Sequence, residues 1–172
     1  MVQIDRLQSD ADGRRRSAGG VLVAVGERYT INNRSTSSQN SVEAVCLNLY
    51  SAAKEHIPFN LLTFYKSPTV PNQTFLTTVN SKLDHFKCSH VPTIVVGDFN
   101  EDASAPKPGD IVDFFTYKGF KQLVTNATRD SGSILDHVYV NFNMSGVHVI
   151  VLDAYFSDHD VVLLSVPLSK MT

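Results

Sequence analysis

The stretch at residues 91–97 constrains the fold of this chain most strongly, because its interior is apolar on both faces. Residues 94–96 read Ile-Val-Val, and a strand of this composition is typical of a sheet that is buried on both sides. The stretch ends abruptly at Gly97-Asp98, which is a turn signal. The pattern therefore predicts a buried strand that delivers Asp98 to a loop.

Further runs of β-branched and aromatic residues predict more strands. These runs are residues 21–25, 42–49, 60–65, 121–124, 134–140, 147–152 and 161–166. Residues 32–41, which are rich in Ser, Asn and Thr, are expected to form an exposed loop. Many strands with few helices between them indicate an α+β fold, in the form of a two-sheet β-sandwich with flanking helices.

Two helices are predicted on the outside of this sandwich. Apolar residues recur at helical spacing within residues 75–86, and Asn72 or Thr74 is available as the N-cap. A shorter helix is expected to be capped by Asp110 and to end at Gly119.

The composition indicates one domain in a reducing compartment. With 172 residues and 42% hydrophobic content, the chain is long enough for one sizeable core and short for two. Residues 1–17 are polar, which argues against a secretory signal, and no apolar stretch is long enough to span a bilayer. Cys46 and Cys88 are too few for a disulfide framework. We therefore expect an intracellular protein of the nucleus or cytoplasm that is not secreted and has no membrane partner.

The net charge limits how the chain can bind nucleic acid. A formal charge of −2 argues against binding by bulk electrostatics, because non-specific phosphate binding relies on clustered Lys and Arg. It does not exclude a nuclease whose anionic site is neutralised by a bound divalent cation. The charge by itself leaves both kinds of protein open.

The side chains that carry chemistry are concentrated in three short segments at or just after predicted strands. They are residues 97–100 (Gly-Asp-Phe-Asn), 135–137 (Leu-Asp-His) and 157–160 (Ser-Asp-His-Asp). Mg²⁺ needs oxygen ligands, and hydrolysis of a phosphodiester needs groups that orient water and offset the growing charge. Asp supplies a ligand or a base, Asn a neutral donor, and His an adjustable proton. The segments thus favour hydrolysis assisted by a hard cation.

These three segments, in this order, resemble the C-terminal signature motifs of the endonuclease/exonuclease/phosphatase superfamily, which includes deoxyribonuclease I and the apurinic endonucleases. The resemblance takes in residues 65–68 (Tyr-Lys-Ser-Pro) and the pair Thr128-Arg129, and it spans nearly the whole chain. The combination of motifs is most similar to endonuclease modules of mobile elements such as retrotransposons. It implies a deoxyribonuclease I-like domain over residues 19–172 that lacks the first strands, after a polar segment at residues 1–18.

The resemblance implies catalytic roles for five residues. Asp98 would orient or deprotonate the attacking water, while Asn100 and Tyr65 would hydrogen-bond the scissile phosphate. Asp136 would pair with His159 and favour a charged imidazole that faces the phosphate as its charge grows.

The resemblance also implies a cation, Mg²⁺ or Mn²⁺, and DNA as the substrate. Asp158 would help to bind the metal. Thr128 and Arg129 precede the strand that carries Asp136, and they are candidates for contact with a substrate phosphate.

The chain departs from the family at its start. Family members begin with two strands that this chain is expected to lack, one ending in an Asn of the active site and the next in a Glu that is a principal metal ligand. Glu27 follows the strand at residues 21–25 and Glu43 begins a later strand, so neither fits the missing ligand. The last strand, at residues 161–166, is then expected to have an unpaired apolar edge that invites a partner strand.

Two other groups of residues favour structural roles. His85, Cys88 and His90 lie close together, but no fourth ligand stands at a recognised zinc spacing. His137 must face the opposite side of its strand from Asp136, which indicates a structural residue.

Three functions are open on the sequence alone. The first is metal-dependent hydrolysis of DNA by an endonuclease-type domain derived from a mobile element. The second is a phosphatase or phosphodiesterase that acts on small phosphate esters, because one fold hosts many functions. The third is a catalytically inactive truncated remnant. The chain is expected to lack the Glu that is a principal metal ligand of the family, and the metal supplies a large part of the catalysis.

Overall fold

The computed structural model describes residues 2–3, 21–39, 42–51, 57–107, 109–143 and 145–167. The elements in chain order are β1 (Val2–Gln3), β2 (Leu22–Val23), β3 (Tyr29–Gln39), β4 (Val42–Ser51), β5 (Phe59–Lys66), α1 (Asn72–His85), β6 (Thr93–Asp98), α2 (Asp110–Tyr117), β7 (Lys121–Gln122), β8 (Asp136–Val140), β9 (His148–Leu152) and β10 (Val161–Ser165). The polar segment at residues 1–18 lies almost entirely outside the described residues. Neither described helix is long and apolar enough to cross a bilayer.

A six-stranded mixed sheet forms the centre of the fold. Its strand order is β3-β4-β5-β6-β8-β7, and β5 and β6 are its parallel neighbours. Parallel neighbours need a crossover connection, which here contains α1. β9 and β10 pair antiparallel in a separate two-stranded sheet, and so do β1 and β2.

The two faces of the six-stranded sheet are covered by different layers. One face packs against α1 and α2 in a core rich in aromatic rings, which include Phe64, Phe75, Phe99, Phe115 and Tyr139. The opposite face packs against β2 and against the inward side chains of β9 and β10. This arrangement confirms the α+β fold with two sheets and flanking helices.

Alternation along the strand explains why the interior of β6 is apolar on both faces. Successive side chains in a strand point to opposite faces. In β6, Val95 belongs to the helix-side core and Ile94 to the core between the sheets. The buried strand predicted at residues 91–97 is therefore confirmed, although it begins at Thr93.

The prediction of an exposed loop at residues 32–41 is wrong for most of its length, since β3 covers residues 29–39. β3 is an edge strand with many exposed polar side chains, and it pairs with β4 along its whole length. Its backbone bonds to a strongly apolar neighbour, so the strand forms without an apolar pattern of its own. Residues 40 and 41 lie outside the described residues.

The predicted cap of α1 is also wrong. Pro71 occupies the N-cap position, and no side-chain cap is formed by Asn72 or Thr74. Asn72 is instead the first helical residue, and its amide donates a hydrogen bond of 2.7 Å to Glu101 Oε2. The start of α1 is therefore tied to a residue far along the chain.

The same Glu101 replaces the predicted cap of α2. Gly109 is the N-cap residue, and Asp110 is the first residue of the helix rather than its cap. Glu101 Oε1 accepts hydrogen bonds from the backbone N–H groups of Ile111 at 2.9 Å and Val112 at 3.4 Å. One carboxylate thus supplies the acceptor that the first turn of α2 needs.

The second sheet has an apolar outer surface. β10 pairs with β9 and with no other strand of the described residues. The outward side chains of the two strands are between 45% and 51% exposed, and they are Ile150, Leu152, Val161 and Leu163. The unpaired edge expected for the last strand stays a prediction, and so does a partner strand on it.

Gly97 in β6 is a point of very close approach between strands. A Cβ atom at this position would lie 1.8 Å from the carbonyl oxygen of Phe64, and φ is +151°. We expect Gly97→Ala to lower the free energy of unfolding by about 3 kcal/mol or more, because it adds a clash and backbone strain. Urea denaturation followed by circular dichroism measures the change. Gly26→Ala is the matched control, since nothing lies within 4 Å of that Cβ position; equal losses would contradict the close approach.

Candidate active site

Pairing across the six-stranded sheet places candidate residues in one row. Tyr65 in β5 is the register partner of Asp98 in β6, and Asp98 is the partner of Asp136 in β8. Register partners point to the same face, and neighbouring strands lie about 4.8 Å apart. The three side chains therefore lie side by side, and Glu43 in β4 extends the row as the partner of Tyr65.

The turn that follows β6 is closed by hydrogen bonds of Asp98 and Asn100. Asp98 Oδ1 accepts a bond of 3.0 Å from the Asn100 N–H. The Asn100 side-chain amide donates to the Lys66 carbonyl at 2.8 Å and to Asp98 Oδ2 at 3.2 Å. Asn100 has a φ of +46°, a left-handed value that Asn adopts more readily than most residues. Both polar side chains are therefore ordered before any substrate binds.

Phe99 anchors this turn in the helix-side core. Its ring is fully buried, stacks on His137 at a centroid distance of 4.9 Å, and meets Phe75 edge to face at 5.5 Å. Its N–H donates to the Leu135 carbonyl at 2.9 Å, one residue before Asp136. The apolar residue of Gly-Asp-Phe-Asn thus fixes the polar residues on either side of it.

His137 lies on the opposite face of β8 from Asp136, as strand alternation predicts. Its ring is buried, with Nε2 at 2.8 Å from the Glu101 carbonyl oxygen and 3.1 Å from that of Ile134. Nδ1 lies 2.8 Å from the Tyr139 hydroxyl. Burial lowers the pKa of His137, so a neutral ring with its proton on Nε2 fits both carbonyl acceptors. The contacts describe a structural residue that supports the turn after β6.

His159 and Asp136 are brought together across two segments of the chain. His159 Nδ1 lies 2.8 Å from Asp136 Oδ2, and the two side chains are 28% and 23% exposed. The carboxylate orients the ring and favours a proton on Nδ1. His159 Nε2 has no hydrogen-bond partner among the described residues, so it is available to a ligand.

Thr128 connects these segments from inside. Its side chain is completely buried, and Oγ1 accepts hydrogen bonds from the N–H groups of Leu135 at 3.1 Å and Asp136 at 3.2 Å. Its carbonyl accepts a bond of 2.9 Å from the Asp160 N–H. The hydroxyl therefore orients the backbone of Asp136. Contact of Thr128 with a substrate phosphate stays a prediction, and its burial favours the indirect role.

Arg129 forms an ion pair with Asp158, the expected metal ligand. A backbone bridge joins Arg129 to His159. The Arg129 guanidinium thus pairs with the carboxylate that the family resemblance assigns to the metal. Arg129 is also a candidate for contact with a substrate phosphate.

The described residues do not by themselves form a complete cation site. No group of three or more His, Cys, Asp or Glu side chains among them is arranged to hold a metal ion. Hard cations are held by several oxygen ligands, and Asp158 shares its carboxylate with Arg129. Mg²⁺ or Mn²⁺ at this position therefore needs a ligand beyond those that these segments bring together.

Burial raises the pKa of the Asp98 carboxyl. The Asn100 N–H lowers this pKa and the nearby Asp136 raises it, with smaller lowering effects of His159 and Arg129. A carboxylate with a raised pKa is a stronger base. The environment of Asp98 therefore suits the removal of a proton from water.

Three residues that support the site were missed by the sequence analysis. Glu101 holds the starts of both helices, and Asp102 Oδ1 accepts a bond of 3.0 Å from the Ile134 N–H. Lys66 is 3% exposed, and burial lowers its pKa against the opposing effects of Glu101 and Asp98. Lys66 lies within the motif of residues 65–68, and Glu101 and Asp102 follow the motif of residues 97–100. The groups that these residues contact lie far away in the sequence.

The partly desolvated carboxylate of Asp98 generates a stability prediction. Asp98→Asn should raise the melting temperature at pH 7, because it removes a charge that burial disfavours. The pKa of Asp98 is higher in the folded chain than in the unfolded chain. The wild type therefore gains stability relative to Asp98→Asn as the pH falls towards the folded-state pKa. The advantage of Asp98→Asn should therefore shrink between pH 7 and pH 4 in differential scanning calorimetry. Asp130→Asn, at an exposed position, is the control, and a lower melting temperature of Asp98→Asn at pH 7 would contradict the desolvation.

Comparison with known proteins identifies the family to which the motifs point. A model described as Endonuclease/Exonuclease/phosphatase family matches residues 48–159, which is more than half of the chain. Comparison with curated proteins gives no match.

Solved structures have a similar fold at low sequence identity. The endonuclease domain of TRAS1, a telomere-specific non-LTR retrotransposon, has a TM-score of 0.61 and 17% identity, over 74% of this chain and 63% of its own length. The mannosyl-6-phosphatase Bt3783 of Bacteroides thetaiotaomicron has a TM-score of 0.56 and 15% identity, over 81% of this chain and 67% of its own. TDP2 of D. rerio, complexed with a single-strand DNA product, has a TM-score of 0.52 and 12% identity, over 78% and 67%.

These likenesses concern the fold, and the chain spans only 63% of the TRAS1 domain. Members of the matched family hydrolyse phosphodiesters or phosphate esters. The match over residues 48–159, together with the row of Tyr65, Asp98 and Asp136 and the contact to His159, leads to one conclusion. The chain belongs to the endonuclease/exonuclease/phosphatase family.

Proposed function

We propose that this chain is a phosphodiesterase domain that cuts DNA, of the type found in mobile elements. The observation that carries the proposal is the 2.8 Å contact of His159 Nδ1 with Asp136 Oδ2, beside Asp98 in the same row. An imidazole held by one carboxylate, next to a second carboxylate of raised pKa, is an arrangement suited to acid/base chemistry. The fold likeness to the TRAS1 endonuclease domain supports DNA as the substrate.

In the proposed reaction, Asp98 accepts one proton of the attacking water while the water oxygen bonds to phosphorus. The bond from phosphorus to the leaving ester oxygen breaks, and the leaving oxygen takes a proton from solvent. The raised pKa of Asp98 makes transfer of the water proton more favourable than it is for an exposed Asp. His159 presents Nε2 to the phosphate, and Asp136 stabilises the charged form of the ring as negative charge grows on the phosphate oxygens.

Hydrogen-bond donors would hold the phosphate during this step. Tyr65 lies next to Asp98 in the row, where its hydroxyl can donate to a phosphate oxygen. The Asn100 amide now bonds to Lys66 and Asp98, so donation to the substrate requires exchange of one of these bonds. Arg129 offers a forked donor of the kind that binds phosphate well.

A requirement for Mg²⁺ or Mn²⁺ is part of this proposal. Asp158 would be one ligand of the ion once its carboxylate is released from Arg129. Binding of a substrate phosphate by Arg129 would allow this release, because the guanidinium would exchange the carboxylate for the phosphate. When bound, the ion would offset charge on the phosphate. The remaining ligands are not supplied by the described residues as they are arranged.

Nicking of supercoiled plasmid tests the proposed cleavage. We expect Mg²⁺-dependent nicking that falls by about 100-fold or more in His159→Ala, because acid/base groups contribute about 10²- to 10⁴-fold. The rate should also fall at acidic pH as Asp98 becomes protonated, starting above the usual range of an Asp because its pKa is raised. His148→Ala is the matched control, as an exposed His in β9. Undiminished nicking by His159→Ala would exclude the assigned role.

Calorimetric titration with Mn²⁺ separates the roles of Asp158 and Arg129. Asp158→Asn should bind Mn²⁺ more weakly than the wild type, because it loses a charged ligand. Arg129→Gln should bind more tightly, because the carboxylate is no longer paired with a guanidinium. Equal affinity of the wild type and both variants would exclude Asp158 as a ligand.

A phosphatase of small phosphate esters is the second candidate. The formal net charge of −2 and the fold likeness to a mannosyl-6-phosphatase favour it. Parallel assays with plasmid DNA, bis(p-nitrophenyl) phosphate and p-nitrophenyl phosphate separate the two, since only the first two contain a phosphodiester.

An inactive remnant is the third candidate. It is favoured by the ion pair that engages Asp158 and by the lack of a three-ligand group among the described residues. Absence of both Mn²⁺ binding and hydrolysis of all three substrates would support it.

A further inference from the structure

Two aromatic rings are exposed immediately before the segment that carries Asp158 and His159. Tyr155 is 99% exposed and Phe156 is 83% exposed. They are the two central residues of a turn between β9 and β10, which the Ser157 N–H closes with a bond of 3.1 Å to the Ala154 carbonyl. Such positions favour Gly, Asn, Asp, Ser or Pro. Two large, mostly apolar side chains here gain nothing from turn geometry or from core packing.

The turn is held firmly at its base. Ala154 is buried, and its N–H donates to Asp160 Oδ1 at 3.1 Å. The Asp160 N–H donates to the Thr128 carbonyl at 2.9 Å, and the His159 N–H donates to Ser157 Oγ at 3.1 Å. The same hydrogen bonds therefore fix both the base of the aromatic turn and the backbone of the candidate catalytic His.

The rings also lie within reach of the site. Phe156 is three residues from His159, so their Cα atoms are at most about 11 Å apart. Successive phosphates along one strand of double-stranded DNA advance by about 3.4 Å along the helix axis. A strand whose phosphate lies at His159 therefore has neighbouring nucleotides at the distance of this turn.

The geometry of the pair leaves ring faces open. The centroids of Tyr155 and Phe156 are 6.4 Å apart and their planes are perpendicular, so at most one face of one ring is directed at the other. Aromatic faces of this kind stack on nucleobases without regard to sequence. Since the chain has a formal charge of −2, stacking would supply binding that bulk electrostatics does not.

We propose that Tyr155 and Phe156 form a stacking platform for an unpaired nucleobase next to the scissile phosphate. The platform makes the site selective for single-stranded nucleic acid over small phosphate esters, which offer no base. This inference rests on the proposed function, because it assigns a substrate class to the same site. It adds a base contact to the phosphate contacts of Arg129 and His159.

Binding of single-stranded DNA without cleavage tests the platform. Fluorescence anisotropy with a labelled oligothymidine, in EDTA, compares the wild type with the double variant Tyr155→Ala/Phe156→Ala. The affinity of the double variant should fall by about tenfold or more, as expected for loss of base stacking. Tyr117→Ala is the matched control, because Tyr117 is an 89% exposed aromatic on α2, which packs on the opposite face of the sheet. Equal affinity of the wild type and the double variant would overturn the inference.

A fluorescent reporter distinguishes base stacking from phosphate binding. The chain contains no Trp, so Phe156→Trp introduces a single one into the turn. Oligothymidine should quench its emission, and an abasic oligonucleotide of equal length should not. Equal quenching by both oligonucleotides would contradict stacking, as would a lack of quenching by either.

These readouts separate the platform from the proposed function, since neither requires hydrolysis. Base-dependent binding by a chain that hydrolyses nothing would retain the platform and reject the enzyme. His159-dependent nicking with unchanged binding in the double variant would retain the enzyme and reject the platform.

Discussion

The backbone of Gly97 lies so close to the carbonyl of Phe64 that no side chain fits between them. This contact fixes how β6 lies against β5, and the pairing of β6 with β8 then places Tyr65, Asp98 and Asp136 in a single row. A shift of one residue along β6 would turn Asp98 towards the helices. The site therefore depends first on strand register, which the apolar side chains of β6 secure on both faces.

The loops that carry the motifs are held mainly by each other. Phe99 and Asp102 bond to the backbone that precedes Asp136, and Thr128 bonds both to that backbone and to the segment of Asp160. Functional loops on a rigid scaffold need little rearrangement to reach a reactive geometry. The contact of His159 with Asp136 follows from these connections, because each residue is fixed by its own segment.

Arg129 links the question of metal binding to that of substrate binding. In its ion pair with Asp158, the Arg129 side chain is 31% exposed and the Asp158 side chain 66%, and ion pairs that water can reach contribute little to stability. A phosphate or a metal ion can therefore compete for either partner at small cost. The loop between β9 and β10 carries Asp158 and also the exposed rings of Tyr155 and Phe156. Charged groups and aromatic surface therefore lie close together beside the row. With a low overall charge, recognition of nucleic acid would rest on this local combination.

The sequence by itself determined the buried strand β6, the position of Asp98 at its end, and the three polar segments of the family. These features are local, because strand alternation and turn residues are legible within a few positions. Only the tertiary structure decided that the polar residues 29–39 form a strand, that Glu101 caps α2, and that Arg129 pairs with Asp158. Glu101 lies ten residues before Ile111 and Arg129 lies 29 residues before Asp158, while β3 forms by pairing with the apolar strand β4. In each case the contact with another segment, rather than local propensity, determines which groups meet.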